Sequence, residues 1–69
     1  MTDPDLLRTR IEEVYIAHTG ASSGHGALSW FARQAKVDRV TVSRWVAGER
    51  EPVGPALALL DCLEREAEA

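Results

Sequence analysis

The chain has 69 residues, of which 45% are hydrophobic and 28% charged, and its formal net charge is -3 at pH 7. A chain of this length makes one small domain, taken as residues 1–69, whose folding hides only about 60% of the surface exposed by the unfolded chain. The single cysteine, Cys62, excludes a disulfide framework, and it forms no zinc-binding set with the two histidines. We therefore expect close helix packing or a partner subunit to supply the stability, with no metal and no other cofactor.

Neither a secreted or membrane protein nor an enzyme is expected. The first residues, Met-Thr-Asp-Pro-Asp, lack the basic and apolar segments of a signal peptide, and no apolar run approaches the roughly 18 residues of a membrane span. These features predict a cytoplasmic protein without membrane contact. No Ser/His/Asp or Cys/His arrangement suggests catalysis, and Glu12 and Glu13 point to different helix faces, so an enzyme is not expected.

Charge is sorted along the chain. Residues 29–50 contain five basic and two acidic residues. In contrast, residues 1–18 contain two basic and four acidic residues, and residues 51–69 contain one basic and five acidic residues. The five cations of the middle segment are Arg33, Lys36, Arg39, Arg44 and Arg50. An anionic partner is therefore expected to bind the middle of the chain.

A first helix is predicted to begin at Asp3 and Pro4. Aspartate is a favoured N-cap, and proline fits the first helical position because its missing N–H would be unpaired there. Residues on one face recur at spacings of three and four: Leu7, Ile11, Val14, Tyr15 and His18. Gly20 is expected to end the helix, and residues 20–26, rich in glycine and serine, are typical of a loop.

Three shorter helices are predicted after this loop. The second covers Ala27 to Lys36, the third begins with Asp38 as its cap and ends at Gly48, and the fourth has Pro55 at its first position. The inward positions expected for them are Leu28, Phe31, Ala32 and Ala35, then Val42, Trp45 and Val46, then Ala56, Leu57, Leu59, Leu60 and Leu63. No segment has a sustained strand period, so the prediction is an all-α fold, a compact bundle of about four short helices.

The second and third helices are predicted to form a helix-turn-helix over about residues 27–48. Ala32 is small where these helices approach each other, and Val37 is apolar where the turn covers the core. The residues that point away from this packing are Arg39, Val40, Ser43 and Arg44. In the major groove, arginine donates paired hydrogen bonds to guanine, serine reaches bases or phosphates, and valine contacts the thymine methyl group. These four residues are therefore predicted to read bases.

The segment from Phe31 to Pro52 resembles the helix-turn-helix domain of the lambda repressor and Cro type. That family often has Leu-Ala, then Gly-Val-Ser, then Thr-Val/Ile-Ser-Arg-Trp, followed by a glycine and a proline. The matching residues here are Ala32, Val37, Thr41, Val42, Ser43, Arg44, Trp45, Gly48 and Pro52. The resemblance implies sequence-specific binding of double-stranded DNA by a small transcriptional regulator of phage-repressor or antitoxin type, acting as a homodimer on an inverted repeat.

This reading gives further residues a role. Lys36, Thr41 and Arg50 are expected to contact phosphates, together with the amino ends of helices. In a dimer, the third helix of each copy would enter a major groove, and the two grooves would be successive ones about 34 Å apart. Leu59 and Cys62 widen the apolar stripe of the fourth helix, which is therefore the expected dimer interface together with part of the first helix.

The chain departs from the family pattern at two places. Lys36 stands where the family favours glycine in the turn, so this lysine must adopt a left-handed conformation or reshape the turn. The family often begins its second helix with a Thr-Gln pair that holds a phosphate, and Ala27 and Leu28 stand there instead. Candidates to replace that contact are Ser23, His25 and Ser29.

Two other functions use the same features. The domain is alternatively a protein-interaction module that binds a regulator through its apolar fourth helix and acidic tail. It is also consistent with DNA recognition in phage packaging or recombination, and a toxin or a polymerase is a conceivable protein partner. Among the remaining residues, Trp45 is expected in the core, and His18 and His25 at the surface. Trp30 is expected either in the core or against a partner or the DNA backbone.

Overall fold

The computed structural model describes residues 2–68 and contains four helices. They are α1 (Pro4–Thr19), α2 (Ala27–Ala35), α3 (Arg39–Val46) and α4 (Gly54–Glu68). No strand occurs among the described residues, so the prediction of an all-α bundle of four short helices is confirmed. Three boundaries differ slightly from the prediction: α2 ends before Lys36, α3 ends at Val46 before the predicted Gly48, and α4 begins before Pro55.

Local signals account for both ends of α1. The Asp3 carboxylate accepts hydrogen bonds from the backbone N–H groups of Asp5 at 2.9 Å and Leu6 at 3.4 Å. Pro4 follows as the first helical residue. At the other end Gly20 adopts a φ of 74°, and its N–H donates to the carbonyl of Ile16 at 2.9 Å. Both predicted boundaries of α1 are confirmed.

The core lies where α1 meets the other three helices. Its buried residues are all apolar, which agrees with the low tolerance of protein interiors for unpaired polar groups. They are Leu7, Ile11, Val14, Ala27, Phe31, Ala32, Val42, Trp45, Val46, Ala56, Leu60 and Leu63. Trp45 is thus a core residue, as predicted. Trp30 is half-buried, with its ring centroid 5.7 Å from that of Tyr15 in an edge-on arrangement.

Polar contacts hold α1 against α4. Arg10 donates from Nη2 to Asp61 at 2.7 Å, and from Nε and Nη2 to the two Glu64 oxygens at 2.9 and 2.7 Å. Hydrogen bonding and charge from Glu64, with a smaller contribution from Asp61, raise the pKa of Arg10 above its usual value. His18 is exposed as expected, yet its Nε2 lies 3.0 Å from the carbonyl oxygen of Leu63. These contacts fix the acidic fourth helix to the first.

Candidate nucleic-acid interface

A turn of three residues, Lys36 to Asp38, joins α2 to α3 and aims the third helix outward. Lys36 has φ 59° and ψ 43°, and it is the only non-glycine residue with a positive φ among those described. Its N–H donates to the carbonyl of Arg33 at 3.3 Å, and the N–H of Val37 donates to that of Ala32 at 3.0 Å. This is the Schellman pattern of a helix end. Of the two alternatives left open by the sequence, Lys36 therefore takes the left-handed conformation and the turn is not reshaped.

Helix α3 has one buried face and one exposed face. Val42, Trp45 and Val46 are at most 4% exposed and pack into the core. Because a helix turns about 100° per residue, the residues at the other side of its amino end point outward. Arg39, Val40 and Arg44 are exposed, with Val40 at 58%, and Ser43 is half-buried. The four residues predicted to read bases thus share the outer side of one short helix.

The residues predicted to contact phosphates flank this surface. Lys36 and Arg50 are exposed, and Thr41 is half-buried in the first turn of α3. The backbone N–H groups of Glu49 and Arg50 donate to the carbonyl of Arg44 at 3.0 and 3.4 Å, so the loop after α3 folds back on the helix end. An exposed cation therefore lies near each end of α3, Lys36 before it and Arg50 after it.

Asp38 occupies the predicted N-cap position of α3, with extended backbone, but its side chain makes no capping hydrogen bond. Its carbonyl instead accepts from the N–H groups of Thr41 at 3.0 Å and Val42 at 3.3 Å. The prediction was right about the boundary and wrong about the carboxylate bond. The amino end of α3 therefore has backbone donors that no side chain in the described part of the chain caps.

A cleft of about 280 Å³ lies where the amino ends of α2 and α3 meet α1. Its lining residues are Arg8 and Glu12 of α1, residues 24–29, and Arg39 of α3. Sequence reasoning missed Arg8, because only the packing of α1 against the other helices brings it to Arg39. The one available signal was that Arg8 and Glu12, four residues apart, share a face of α1 that the core stripe does not use.

The start of α2 forms the wall of this cleft. Gly26 has φ 90° and offers no side-chain cap, and the N–H of Ala27 donates to the carbonyl of Gly24 at 3.0 Å. Among the described residues, the N–H groups of Leu28 and Ser29 are left for solvent or an anion. Ala27 is fully buried, which excludes it from a phosphate contact. Of the three suggested replacements, His25 and Ser29 line the cleft, whereas Ser23 accepts a hydrogen bond from the N–H of His25 at 3.4 Å.

The basic side chains of residues 29–50 have no ion-pair partner within residues 2–68. The salt bridges in that range all belong to Arg10, which binds two carboxylates of α4. The cations on α2, the turn, α3 and the following loop are therefore free to meet an external anion. Acidic residues, in contrast, concentrate on α1 and α4, as the charge pattern of the sequence predicted.

The two residues predicted for a dimer interface differ in position. Leu59 is half-buried and packs against the chain's own core, whereas Cys62 is an exposed free thiol. Three large apolar side chains that the sequence analysis did not single out are more exposed than Leu59: Leu6 at 57%, Val53 at 52% and Ile16 at 38%. Leu6 precedes the first residue of the α1 stripe, and Val53 precedes α4.

The chain matches no protein-family model, no curated protein and no solved structure. Within residues 2–68, none of the helices combines the length and the apolar character needed to cross a bilayer. The same residues contain no group of three His, Cys, Asp or Glu side chains placed to hold a metal ion.

Proposed function

We propose that this protein binds double-stranded DNA sequence-specifically as a small transcriptional regulator of repressor type. The observation that carries the proposal is the arrangement of α3. Its apolar side is buried against α1 and α2, and its opposite side presents exposed Arg39, Val40 and Arg44 beside half-buried Ser43. A helix-turn-helix uses its second helix in this manner, with the amino-terminal residues reaching base edges.

The dimensions of α3 suit the major groove. An α-helix with its side chains is about 10–12 Å across, which matches the roughly 12 Å width of the groove in B-DNA, and the eight residues of α3 make it about 12 Å long. Arg39 and Arg44 would each donate to a guanine, Ser43 would donate to or accept from a base or a phosphate, and Val40 would contact a thymine methyl. Contact with thymine would also remove the exposed apolar surface of Val40 from water.

Phosphate contacts would supply most of the affinity. Lys36 is exposed in the turn before α3, Arg50 is exposed in the loop that bonds to the end of α3, and Thr41 lies in the first turn of α3. The cleft at the start of α2 adds uncapped backbone donors next to Arg8 and Arg39, a combination that favours an anion. Glu12 in the same cleft opposes anions, and the two arginines offset its charge. We infer that a phosphate group of the DNA backbone sits there.

A homodimer on an inverted repeat is part of this proposal. One copy measures about 30 × 21 × 21 Å, so two copies in contact can place their α3 helices about 34 Å apart, the spacing of successive major grooves. We propose that α4 supplies the contact through Cys62 and the exposed part of Leu59, with help from α1. The acidic α4 and the carboxyl-terminal half of α1 would then face away from the DNA.

Selection of binding sites from a random duplex library at about 0.15 M salt tests binding and readout together. The wild-type protein is expected to enrich an inverted repeat, and the double variant Arg39→Ala, Arg44→Ala is expected to lose that enrichment. Each arginine contributes about 1–3 kcal/mol on the preferred site. Arg65→Ala is the matched control, since it removes an exposed arginine of α4 and should leave the selected sequence unchanged.

Two results would contradict the proposal. No enrichment by the wild-type protein would transfer support to the protein-interaction module. If the double variant loses the same amount of affinity for specific and for random DNA, Arg39 and Arg44 contact phosphates and do not read bases.

A further inference from the structure

A second concave surface lies on the acidic side of the molecule, between the carboxyl-terminal halves of α1 and α4. This groove has a volume of about 360 Å³ and is lined by Glu13, Val14, Ala17, Glu64, Ala67 and Glu68. No residue of α2 or α3 contributes to it. The proposed DNA-reading surface and the groove are therefore built from different parts of the chain.

The groove combines an apolar base with an acidic rim. Val14 is only 3% exposed and belongs to the core, and the small side chains of Ala17 and Ala67 leave open space above it. The carboxylates of Glu13, Glu64 and Glu68 complete the lining. A long aliphatic side chain that ends in a positive charge matches both parts, because its stem prefers apolar contact and its end prefers a carboxylate.

The charge of the rim is not balanced from within the described part of the chain. Arg10 makes two hydrogen bonds to Glu64 and so offsets that carboxylate. Neither Glu13 nor Glu68 takes part in a salt bridge within residues 2–68. Like charges around one groove repel each other, and glutamates four residues apart on a helix, such as Glu64 and Glu68, oppose helix stability. A cationic occupant would relieve this repulsion.

We propose that this groove is a docking site for a basic segment of a partner protein. An arginine or lysine of the segment lays its aliphatic stem over Val14, Ala17 and Ala67 and places its charged end between Glu13 and Glu68. The proposal does not depend on DNA binding, and both surfaces can be occupied at once.

The test measures binding of a fluorescent synthetic peptide of alternating Arg and Ala to the whole protein. Fluorescence anisotropy reports the binding at low and at physiological salt. A peptide with Glu in place of Arg is the negative probe. Ala17→Leu fills the groove without changing any charge, and Ala58→Leu makes the same change at an exposed position of α4 outside the groove. We expect Ala17→Leu to weaken binding of the basic peptide about tenfold and Ala58→Leu to leave it unchanged.

A second pair of variants tests the rim. Glu13→Gln with Glu68→Gln should weaken binding about tenfold, as expected for the loss of two ion pairs that each contribute modestly. Glu49→Gln with Glu66→Gln changes the net charge equally at exposed positions that do not line the groove, and should have little effect. Circular dichroism of every variant verifies that helix content is retained.

Two outcomes would overturn the proposal. Equal affinity of the groove variants and their controls would mean that the peptide binds the acidic surface without a defined site. Salt-sensitive self-association of the protein alone, abolished by Ala17→Leu in sedimentation, would assign the groove to a second copy of this chain instead.

Discussion

Replacement of Lys36 by glycine is expected to make the protein more stable. Lys36 is the only described non-glycine residue in the left-handed region, and its side chain is exposed. The hydrogen bond from the Lys36 N–H to the carbonyl of Arg33 and the bond from the Val37 N–H to the carbonyl of Ala32 close the end of α2. Neither bond uses the lysine side chain. The substitution therefore removes steric strain at Cβ without removing a packing contact.

The magnitude follows from two opposing terms. A left-handed conformation costs an L-residue about 1–2 kcal/mol relative to glycine, and this cost disappears in Lys36→Gly. Glycine raises the conformational entropy of the unfolded chain, which stabilises the unfolded state by about 0.4–1 kcal/mol. The net gain in the free energy of unfolding is about 0.5–1 kcal/mol. For 69 residues this corresponds to a rise in Tm of about 3–7 °C.

Urea denaturation and thermal denaturation, both followed by circular dichroism, measure this difference. Lys36→Ala is the matched control, because alanine retains Cβ and so retains the strain while removing the charge. Lys36→Gly should exceed Lys36→Ala in stability with the same urea dependence. Equal stabilities of the two variants would show that the turn stores no strain at this residue, and the account of Lys36 given above would be refuted.

The same variants bear on function. If Lys36 contacts a phosphate, both should bind every DNA sequence more weakly, with a salt dependence reduced by about one ion. Lys36→Gly would then be more stable and yet a weaker binder. Backbone strain that persists at an exposed cation is explained most simply by a use for that cation.

Two further predictions concern stability and use the same denaturation measurements. Gly20→Ala should lower the free energy of unfolding by about 0.5–1 kcal/mol, because φ is 74° there and the added Cβ meets no atom within 4 Å. Backbone strain of about 1–2 kcal/mol is partly offset by about 0.4–1 kcal/mol from the less flexible unfolded chain. Wild-type stability in this variant would contradict the left-handed end of α1. Arg10→Ala should lower it by about 1 kcal/mol, since the paired hydrogen bonds to Glu64 and the bond to Asp61 join α1 to α4. The loss caused by Arg10→Ala should shrink at about 1 M salt, and a loss independent of salt would show that the arginine acts through packing.

The number, order and approximate ends of the helices follow from the sequence by itself. Asp3, Pro4 and Gly20 act on backbone groups within four residues, so their effect can be read without knowledge of the fold. Periodic apolar residues likewise identify the buried face of each helix, and Val42, Trp45 and Val46 lie in the core as expected. The outward position of Arg39, Val40 and Arg44 is the consequence of that same periodicity.

Other features were decided only by the tertiary structure. Sequence left two conformations open for Lys36, and the hydrogen bond from Val37 to Ala32, with Val37 packed on the core, selects the left-handed one. The cleft that joins Arg8 to Arg39, the clamp of Arg10 on α4 and the acidic groove each combine residues from distant helices. Helix periodicity determines which side chains leave a helix on the same side, but not which helix lies opposite. That choice depends on how the four apolar faces close on one core, and so these surfaces exist only in the folded chain.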